Sequence, residues 1–458
     1  MILAALALAL PLQDAPAAAP PPPDVLLILV DDMGWMDLAC QGNAALDTPH
    51  IDALAAAGVR FTDAYAPAPT CSPTRAAVLT GQAPARLRIT NHIPDRPSFA
   101  RENAPLVSAF TRDRLAPEAV TLAERLEEAG YARGFFGKWH LAGPGGRGGL
   151  GDLACYPQAQ GFEFNVGGTA DGGPSTYWDP YRIHSLPDRR EGEYLEERLA
   201  DEVLDWWARA GDGPRLTMLW NYGVHYPLHA PEELVAKYEE RVGPGVKEPA
   251  YAGMIEALDR ALGRLFDALE ENGRADNTLV IFTSDNGGWS GPADNAPLRA
   301  GKGYLYEGGL RVPLIVRWPG VVEPGRVSAV PAIGTDLFPT VLAAAGLELG
   351  ADALVDGVDL GPVLRGADAL ERDALYWHAP NYAWHGDNRL GSAIRMGEHK
   401  LIHRFADDSI ELYDLANDLA EQHDLSEQQP ERAAALLARL EAWRADCDAS
   451  LPTPRRDR

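Results

Sequence analysis

Cys71, Pro73 and Arg75 stand close together in the sequence, with one residue between each pair. Taken alone, the cysteine could be a buried apolar side chain or half of a disulfide. A thiolate nucleophile of the phosphatase kind would need a longer loop to wrap a phosphate, because only three residues separate Cys71 from Arg75. Pro73 suits the first turn of a helix, where the helix dipole and the free amides favour an anion. We therefore expect residue 71 at a helix N-terminus that faces an anionic group.

Oxygen-bearing side chains follow two apolar segments. Asp31 and Asp32 come directly after one unbroken apolar run, and Asp285 and Asn286 follow a second. Both runs are typical of parallel strands buried on both faces, whose carboxyl ends are where open α/β sheets bind ligands. Adjacent carboxylates are costly unless a cation neutralises them. Either strand end alone could instead be a helix N-cap or a turn. Together, the all-oxygen set suits Ca²⁺ or Mg²⁺ rather than zinc.

Cationic and titratable side chains follow in three further segments. Lys138 and His140 lie in G-K-W-H, His225 lies in H-Y-P, and Lys302 opens K-G-Y-L-Y-E-G-G-L-R-V-P. A lone histidine or lysine in a loop is usually a solvated or structural residue. It is the order of these segments along the chain, together with Cys71, that indicates a shared site.

These segments together resemble the signature elements of one enzyme family. C-x-P-x-R followed by L-T-G, then G-K-W-H, H-x-P, K-G-x-x-x-E-G-G-x-R-V-P and E-L-Y-D-L, is similar to the formylglycine-dependent (type I) sulfatases of the alkaline phosphatase superfamily. The resemblance extends from about residue 24 to residue 424 and is arylsulfatase-like. It implies a sulfuric ester hydrolase that cleaves sulfate monoesters.

The resemblance also implies a modified residue and a metal site. A maturation enzyme would read C-x-P-x-R in the unfolded chain and oxidise Cys71 to the aldehyde formylglycine, whose hydrate has two geminal hydroxyls. The implied metal ligands are residue 71 itself, Asp31, Asp32, Asp285 and Asn286, and the metal with Asp285 would favour deprotonation of the attacking hydroxyl.

The remaining site residues receive roles in the same way. Arg75, Lys138 and Lys302 would supply the preorganised positive charge that a transferring sulfuryl group needs. His225 with Lys302 would protonate the departing alcohol, and His140 would take the proton from the second hydroxyl. Histidine suits both roles because its unperturbed pKa of about 6.5 lies near working pH.

Two other interpretations of these motifs stay open. One is a phosphonate monoester hydrolase or phosphodiesterase, because relatives with the same aldehyde act on such singly charged esters. The other is a non-catalytic carbohydrate-binding relative that keeps the fold. The second is disfavoured because a binding-only protein has no need of all six of these intact residues: Cys71, Arg75, Lys138, His140, His225 and Lys302.

Length and patterning predict the architecture. With 458 residues and 46% hydrophobic composition, the chain can bury a large core. One-sided apolar stripes at 195–206 and 254–269 indicate helices that alternate with strands. This alternation predicts a doubly wound α/β fold with a large, mixed, mostly parallel sheet sandwiched by helices. We expect three regions: a probable signal peptide and Pro/Ala-rich linker at 1–23, a catalytic domain at 24–370, and a smaller C-terminal α+β subdomain at 371–458.

The N-terminus and the charge bear on location and partners. Residues 1–12 are apolar, too short to span a bilayer, and similar to the core of a signal peptide, although no Lys or Arg precedes Arg60. We expect a periplasmic or secreted protein without a membrane span. A net charge of -25 argues against nucleic acid or an anionic membrane as a partner, so an anion site must be locally positive.

The identity of the substrate depends on the loops around the site, which the motifs do not define. Two loops, 91–114 and 143–181, are expected to line the leaving-group pocket. Tyr177, Trp178 and Tyr181 in the second loop could stack on a sugar ring, or could only pack the loop. We expect a sulfated glycan, with a simple aryl sulfate as the alternative.

Overall fold

The computed structural model describes residues 21–145, 150–350, 352–385 and 388–455. The apolar stretch assigned to a signal peptide lies outside the described residues. Among the helices that are described, none combines the length and the apolar character needed to cross a bilayer.

Within the described ranges the chain forms sixteen strands. In chain order they are β1 Asp24–Val30, β2 Val59–Phe61, β3 Ala64–Tyr65, β4 Leu106–Val107, β5 Ala132–Gly137, β6 Phe164–Val166, β7 Arg215–Trp220, β8 Thr278–Ser284, β9 Leu314–Arg317, β10 Arg326–Ser328, β11 Ala332–Ile333, β12 Leu375–Ala379, β13 Gly391–Met396, β14 His399–Arg404, β15 Ile410–Asp414 and β16 Thr453–Pro454.

The same ranges contain eleven α-helices. They are α1 Pro49–Ala56, α2 Cys71–Thr80, α3 Pro84–Leu87, α4 Leu122–Glu127, α5 Leu195–Trp207, α6 Glu232–Glu239, α7 Pro249–Glu271, α8 Glu307–Leu310, α9 Leu337–Ala344, α10 Gly361–Leu364 and α11 Pro430–Asp446.

Eight strands form one large sheet in the order β10-β2-β9-β8-β1-β7-β5-β6. The run from β8 to β6 is parallel throughout, whereas β9 is antiparallel to both β8 and β2. Central β1 is buried along its whole length, as expected for an apolar strand covered on both faces. Its alternate side chains enter two cores, one packed against α5 and α7 and the other against α2, α4 and α9. The predicted mixed, mostly parallel sheet between helices is confirmed.

The pairing of β1 with β8 aligns the ends of the two strands. Val30, the last residue of β1, is the partner of Ser284, the last residue of β8. The next backbone amide, that of Asp285, donates to the carbonyl oxygen of Val30 at 3.0 Å. Because the ladder ends in register, the residues that follow both strands emerge side by side at one edge of the sheet.

A smaller antiparallel sheet follows towards the C-terminus. Its four strands, β12 to β15, are neighbours in chain order, and α11 packs on β13 and β14 through Leu436 and Leu440. This is the predicted α+β subdomain. Its boundary at residues 370 and 371 stays a prediction, because Lys400 on β14 reaches back to bind Glu307 of the larger unit, with Nζ 2.8 Å from Oε1.

Candidate active site

Four oxygen-bearing side chains converge at the shared end of β1 and β8. Asp31, Asp32, Asp285 and Asn286 are all buried, with at most 3% exposure. The backbone amide of Asp32 donates to Oδ1 of Asp285 at 3.2 Å, and Nδ2 of Asn286 donates to Oδ1 of Asp32 at 2.8 Å. The register of the sheet therefore brings both predicted ligand pairs into one cluster.

Each of the three carboxylates has a buried cation. Nζ of Lys138 donates to Oδ2 of Asp31 at 2.6 Å, and Nζ of Lys302 lies 2.6 Å from Oδ1 of Asp32. Arg75 donates from Nε and Nη2 to Oδ2 of Asp285, at 2.9 and 2.7 Å. A further hydrogen bond, 2.7 Å from Nη1 of Arg75 to the carbonyl oxygen of Lys138, links two of the cations.

The carboxylates nevertheless differ in acidity. Burial raises the pKa of Asp31 well above its usual value, although the Lys138 ammonium opposes this shift. Burial also acts on Asp32 and Asp285, but Lys302 and Arg75 outweigh it and lower both pKa values. Three carboxylates thus face three cations, and burial is the main reason why the pKa of Asp31 stays raised.

Two oxygens of the cluster accept no hydrogen bond from the described part of the chain. They are Oδ1 of Asp31 and Oδ1 of Asn286, both buried. The donor atoms of Asp31, Asp285 and Cys71 all lie within 4.8 Å of one another. Because buried acceptors are normally satisfied, the two orphaned oxygens fit a hard divalent cation with oxygen ligands.

Cys71 begins α2 beside this cluster, and is buried. Its position as the first helical residue agrees with the expectation from Pro73. The next residue anchors the helix start, since the hydroxyl oxygen of Ser72 accepts from the amide of Ile93 at 3.1 Å. All four cysteines of the chain are free thiols.

Lys138 and His140 reach the site directly after β5, where the backbone turns: Gly137 has a φ of 99° and His140 a φ of 62°. The intervening Trp139 enters the core, where it lies 5.0 Å from Phe135, ring centre to ring centre, and stacks on Trp220. The pattern K-W-H thus places the Lys138 and His140 side chains in the site and the Trp139 side chain in the core beneath it.

The hydrogen bonds of His140 define its tautomer. Its Nε2 lies against the carbonyl oxygen of Ile93, which can only accept, so Nε2 carries the proton. Its Nδ1 is then an unprotonated acceptor 3.4 Å from Sγ of Cys71. Burial, reinforced by the charge of Lys138, lowers the pKa of His140 well below its usual value. The ring therefore presents a neutral, basic nitrogen to residue 71.

His225 follows β7 on the opposite side of the cluster. Its Nδ1 donates to the carbonyl oxygen of Tyr226 at 2.7 Å, which leaves Nε2 facing Oδ2 of Asp32 at 3.7 Å. Burial and the nearby Lys302 ammonium lower the pKa of His225 to about 3. For Lys302, burial is outweighed by Asp32 and the pKa is raised. Lys302 thus holds the proton in this pair.

A pocket of about 980 Å³ opens above Cys71, His140, His225 and Lys302. Of the predicted site residues, these four are in its lining. All ten predicted site residues are therefore brought together, either in the lining of this pocket or directly beneath it: Asp31, Asp32, Cys71, Arg75, Lys138, His140, His225, Asp285, Asn286 and Lys302.

The aromatic residues considered for sugar stacking have another role. Tyr177 and Tyr181 are fully buried in the core. The hydroxyl of Tyr177 donates to the carbonyl oxygens of Tyr222 and His225, at 2.6 and 2.8 Å. These tyrosines pack the loop and support the His225 segment, so the stacking alternative is wrong for them.

Other aromatic rings line the pocket instead. They include His92 and Phe99, from the predicted 91–114 loop, and Trp384, from the C-terminal subdomain. The loop prediction pointed to the first two, but Trp384 has no motif or spacing that connects it to the site.

Family comparisons agree with the motifs. The sulfatase family model matches residues 23–347, and the model for the C-terminal part of N-sulphoglucosamine sulphohydrolase matches residues 300–446. The chain therefore belongs to the sulfatase family, in the alkaline phosphatase superfamily, and is a sulfuric ester hydrolase. The resemblance inferred from the motifs is confirmed.

Individual relatives cover most of the chain. A sulfatase of Formosa agariphila is 30% identical over 497 residues, covering 92% of this chain and 88% of that protein. Arylsulfatase A of Homo sapiens is 34% identical over 403 residues, with coverages of 82% and 74%. N-acetylgalactosamine-6-sulfatase of Homo sapiens is 32% identical over 408 residues, with coverages of 82% and 70%.

Solved structures share the fold. Ps i-CgsB in complex with k-i-k-neocarrahexaose has a TM-score of 0.78 at 29% identity and covers 92% of both chains. The phosphonate monoester hydrolase of Agrobacterium radiobacter has a TM-score of 0.68 at 22% identity, with coverages of 95% and 100%. The second likeness shows the fold alone.

Proposed function

We propose that this enzyme hydrolyses sulfate monoesters on a carbohydrate, with residue 71 converted to formylglycine and one divalent cation, Ca²⁺ in preference to Mg²⁺, bound beside it. The observation that supports this most directly is the cluster of Asp31, Asp285 and residue 71, whose donor atoms lie within 4.8 Å of one another. A maturation enzyme that recognises C-x-P-x-R is the implied partner.

The chain offers a suitable set of ligands for the cation. The cation would be held by Asp31, Asp32, Asp285, Asn286 and residue 71. The oxygens of Asp31 and Asn286 that accept no hydrogen bond are free to coordinate it. The donors are oxygens, which suit calcium or magnesium better than a soft metal. Such an ion supplies charge stabilisation to an ester oxygen when bound.

The converted side chain supplies two geminal hydroxyls, one to displace the alcohol from sulfur and one to expel the sulfate. Arg75 fixes the helix start and neutralises Asp285 through two hydrogen bonds. Lys138 and Lys302 place further positive charge where the sulfuryl oxygens gather negative charge. In the first step an S–O bond forms to residue 71 as the S–O bond to the alcohol breaks, and Asp285 accepts the proton that the attacking hydroxyl loses.

The departing alcohol oxygen needs a proton. Lys302 and His225 both face Asp32 and both line the pocket. Since Lys302 holds the proton and His225 is neutral, this pair supplies the proton to the leaving oxygen, with the Lys302 ammonium as the source.

Release of sulfate needs a base on the side of residue 71 opposite to His225 and Lys302. Nδ1 of His140, the unprotonated nitrogen facing Cys71, accepts the proton from the second hydroxyl. The C–O bond to sulfate then breaks as the carbonyl re-forms, and water restores the hydrate. His140 passes its proton to solvent through the pocket, whose lining includes its ring.

Relatives support a carbohydrate substrate. N-acetylgalactosamine-6-sulfatase is named for a sulfated sugar, and Ps i-CgsB has been solved with a neocarrahexaose. A pocket of about 980 Å³ also has room for sugar rings beyond the ester group. Export to the periplasm or the outside of the cell would fit such a substrate and stays part of the proposal.

Peptide mass spectrometry and activity test this proposal together. Protein from a host with the maturation enzyme should contain residue 71 with one oxygen gained and one sulfur and two hydrogens lost. Cys71→Ser should abolish turnover of an aryl sulfate, whereas Cys40→Ser, outside the site, should leave turnover unchanged. An unmodified thiol in fully active enzyme, or faster cleavage of an aryl phosphonate than of the sulfate, would contradict the proposal.

A further inference from the structure

Two arginines at the pocket have no carboxylate partner. Arg96 and Arg182 both line the pocket and both are exposed. Within the described ranges neither guanidinium takes part in an ion pair, whereas Arg114 and Arg189 each contact two carboxylates. Arg112 and Arg365 likewise have no ion pair among the described residues, so what distinguishes Arg96 and Arg182 is their place in the pocket lining.

The charge of the pocket is opposite to that of the protein. Among the described residues its lining includes Arg96, Arg182, Lys302, which is paired with the buried Asp32, and one carboxylate, Asp171. Arg75 and Lys138, which are fully buried beneath the pocket, already supply positive charge to the sulfate that is cleaved. Arg96 and Arg182 are therefore in excess of what cleavage of one sulfate ester requires.

Aromatic rings form one wall of the same pocket. The rings of His92 and Trp384 meet edge to face, with centroids 5.3 Å apart, and His92 is 5.1 Å from Phe99. Trp384 is 37% exposed, and Nζ of Lys302 lies 5.1 Å from the centre of its ring. A flat apolar face next to a cation suits a sugar ring that has an anionic substituent.

Side-chain hydrogen bonds hold this wall in place. Nδ2 of Asn91 donates to the carbonyl oxygen of Tyr382 at 2.9 Å. The hydroxyl of Thr90 donates to Oδ1 of Asn381 at 2.8 Å, and Nδ2 of Asn381 donates to the carbonyl oxygen of Ala109 at 2.8 Å. These bonds join the segment that contains His92 to the segment that precedes Trp384, so the wall is preorganised for binding.

We propose that the pocket selects an acidic oligosaccharide, with a sugar ring against Trp384 and a second anionic group, sulfate or carboxylate, bound by Arg96 and Arg182. This inference rests on the proposed function and narrows it, because it separates the natural substrate from simple aryl sulfates. The two arginines act as specificity residues, since they contact a part of the substrate that does not react.

Three matched disaccharides test the inference. One has a single sulfate, the second has an additional sulfate on the neighbouring ring, and the third has a uronate carboxylate there. The matured enzyme should show kcat/KM about tenfold higher for one or both of the doubly anionic compounds, mainly through KM, and the better of the two identifies the second group. The preference should weaken as salt is added, because exposed charges are screened.

Variants assign the preference to the two arginines. Arg96→Ala and Arg182→Ala should each remove most of the tenfold advantage and lower kcat/KM for the singly sulfated disaccharide much less, whereas Arg96→Lys and Arg182→Lys should keep part of the advantage. Arg365→Ala is the matched control, because Arg365 is exposed but does not line the pocket. Trp384→Ala should weaken the binding of all three disaccharides, and Trp384→Phe should restore part of that binding.

Binding to the inactive Cys71→Ala protein separates this inference from the proposed function. Calorimetric titration with the three disaccharides needs no turnover, so it tests the preference even if the enzyme fails to cleave any sulfate ester. Equal affinity for singly and doubly anionic disaccharides, or an equal loss for all three in the arginine variants, would overturn the inference. Absence of hydrolysis with the preference intact would overturn only the proposed function.

Discussion

The Nε2 hydrogen of His140 is bonded to the carbonyl oxygen of Ile93, so that Nδ1 faces Sγ of Cys71 at 3.4 Å as an unprotonated nitrogen. The backbone carbonyl thereby selects the tautomer, and the selected nitrogen can act only as a base towards residue 71. This geometry separates the two histidines of the site, because His225 lies on the other side, facing Asp32.

His140→Ala should slow the second half of the reaction more than the first. General-base catalysis contributes about 10²–10⁴-fold, and that factor should be lost from sulfate release. Alcohol release in the first turnover should stay close to the wild-type rate, so a burst of about one equivalent is expected. Stopped-flow detection of the alcohol, with a parallel sulfate assay, measures both steps.

His423→Ala is the control for this experiment, because its side chain is 78% exposed and lies in the C-terminal subdomain. If His140→Ala slowed alcohol release and sulfate release equally, His140 would instead act in the first step, in which the alcohol leaves.

Gly172→Ala should damage catalysis without unfolding the protein. A Cβ added at Gly172 would lie 2.6 Å from Cε1 of His140, which is closer than real Cβ contacts, so the ring must move. A displacement of about 1 Å can cost on the order of 100-fold in rate. We expect kcat to fall by at least tenfold while the melting temperature changes little.

Gly213→Ala is the matched control, since a Cβ there meets no atom within 4 Å. Wild-type kcat in Gly172→Ala would mean that the ring of His140 is not held where the hydrogen bonds place it. Crystal structures or ring NMR signals of both variants would show which is the case.

The motif residues of the site were predictable because strand ends and helix starts leave local signals. Asp31 and Asp285 each follow an apolar strand, and Pro73 marks the start of α2. What the sequence does not contain is the order of strands within the sheet. Only the structure shows that β1 and β8 are neighbours in register, which is why the two ligand pairs meet.

The substrate pocket was harder to predict, because its wall comes from distant parts of the chain. Trp384 meets His92 across nearly 300 residues of sequence. Conversely, Tyr177 and Tyr181 lie in a loop of the right composition but face the core. Composition identifies loops that contain aromatic rings, whereas the direction of each ring depends on tertiary packing.

Chelation of divalent ions should destabilise the folded enzyme as well as inactivate it. A ligand that binds only the folded state stabilises it by mass action, so its removal lowers the melting temperature. Returning Ca²⁺ should restore the melting temperature and activity, whereas Zn²⁺ should not, given the oxygen ligands of the site. Calorimetric titration of the chelated protein should give one Ca²⁺ per chain.

Asn286→Ala removes one orphaned oxygen of this cluster and should weaken Ca²⁺ binding in the same titration. Full stability and activity in protein shown by elemental analysis to be free of metal would contradict the proposed cation.

Glu196 should make stability depend on pH. Its buried carboxyl accepts from the amide of Gly223 at 2.7 Å and also from the Asn221 side chain, and burial raises its pKa from 4.5 to about 7. The titratable neighbours are the phenols of Tyr177 and Tyr194, whose own pKa values are raised by burial. The protonated carboxyl therefore stabilises the fold fully below the unfolded pKa, and this stabilisation is lost as the pH rises through about 7.

Glu196→Gln tests whether stability falls, as expected, when the pH rises. The shift corresponds to at most about 3 kcal/mol, so wild type should lose up to that much stability between acidic and alkaline pH, and the variant should lose less. Asn221 can turn its unpartnered Oδ1 to the new amide, so the hydrogen bonding is kept. Urea titrations of both proteins across this pH range give the difference, and parallel pH curves would exclude a role for Glu196.

Lys400 should be essential for stability because it neutralises two buried carboxylates. Its Nζ lies 2.8 Å from Oε1 of Glu307 and 2.9 Å from Oε1 of Glu421, and all three side chains are fully buried. Removing one partner of a buried ion pair typically costs about 3–5 kcal/mol, because a charge is left without compensation. We expect Lys400→Met to lower the free energy of unfolding by that amount.

Because α8 begins at Glu307, five residues after Lys302, the same variant should also raise KM at temperatures where it stays folded. Lys247→Met is the control: Lys247 is 48% exposed, lies 3.0 Å from Asp294, and should contribute less than about 1 kcal/mol. Adding Glu421→Gln to Lys400→Met should recover part of the loss, since one unpaired charge is then removed. If Lys400→Met unfolds at the same urea concentration as Lys247→Met, the two sheets are held together by apolar packing, and the buried ions are not required.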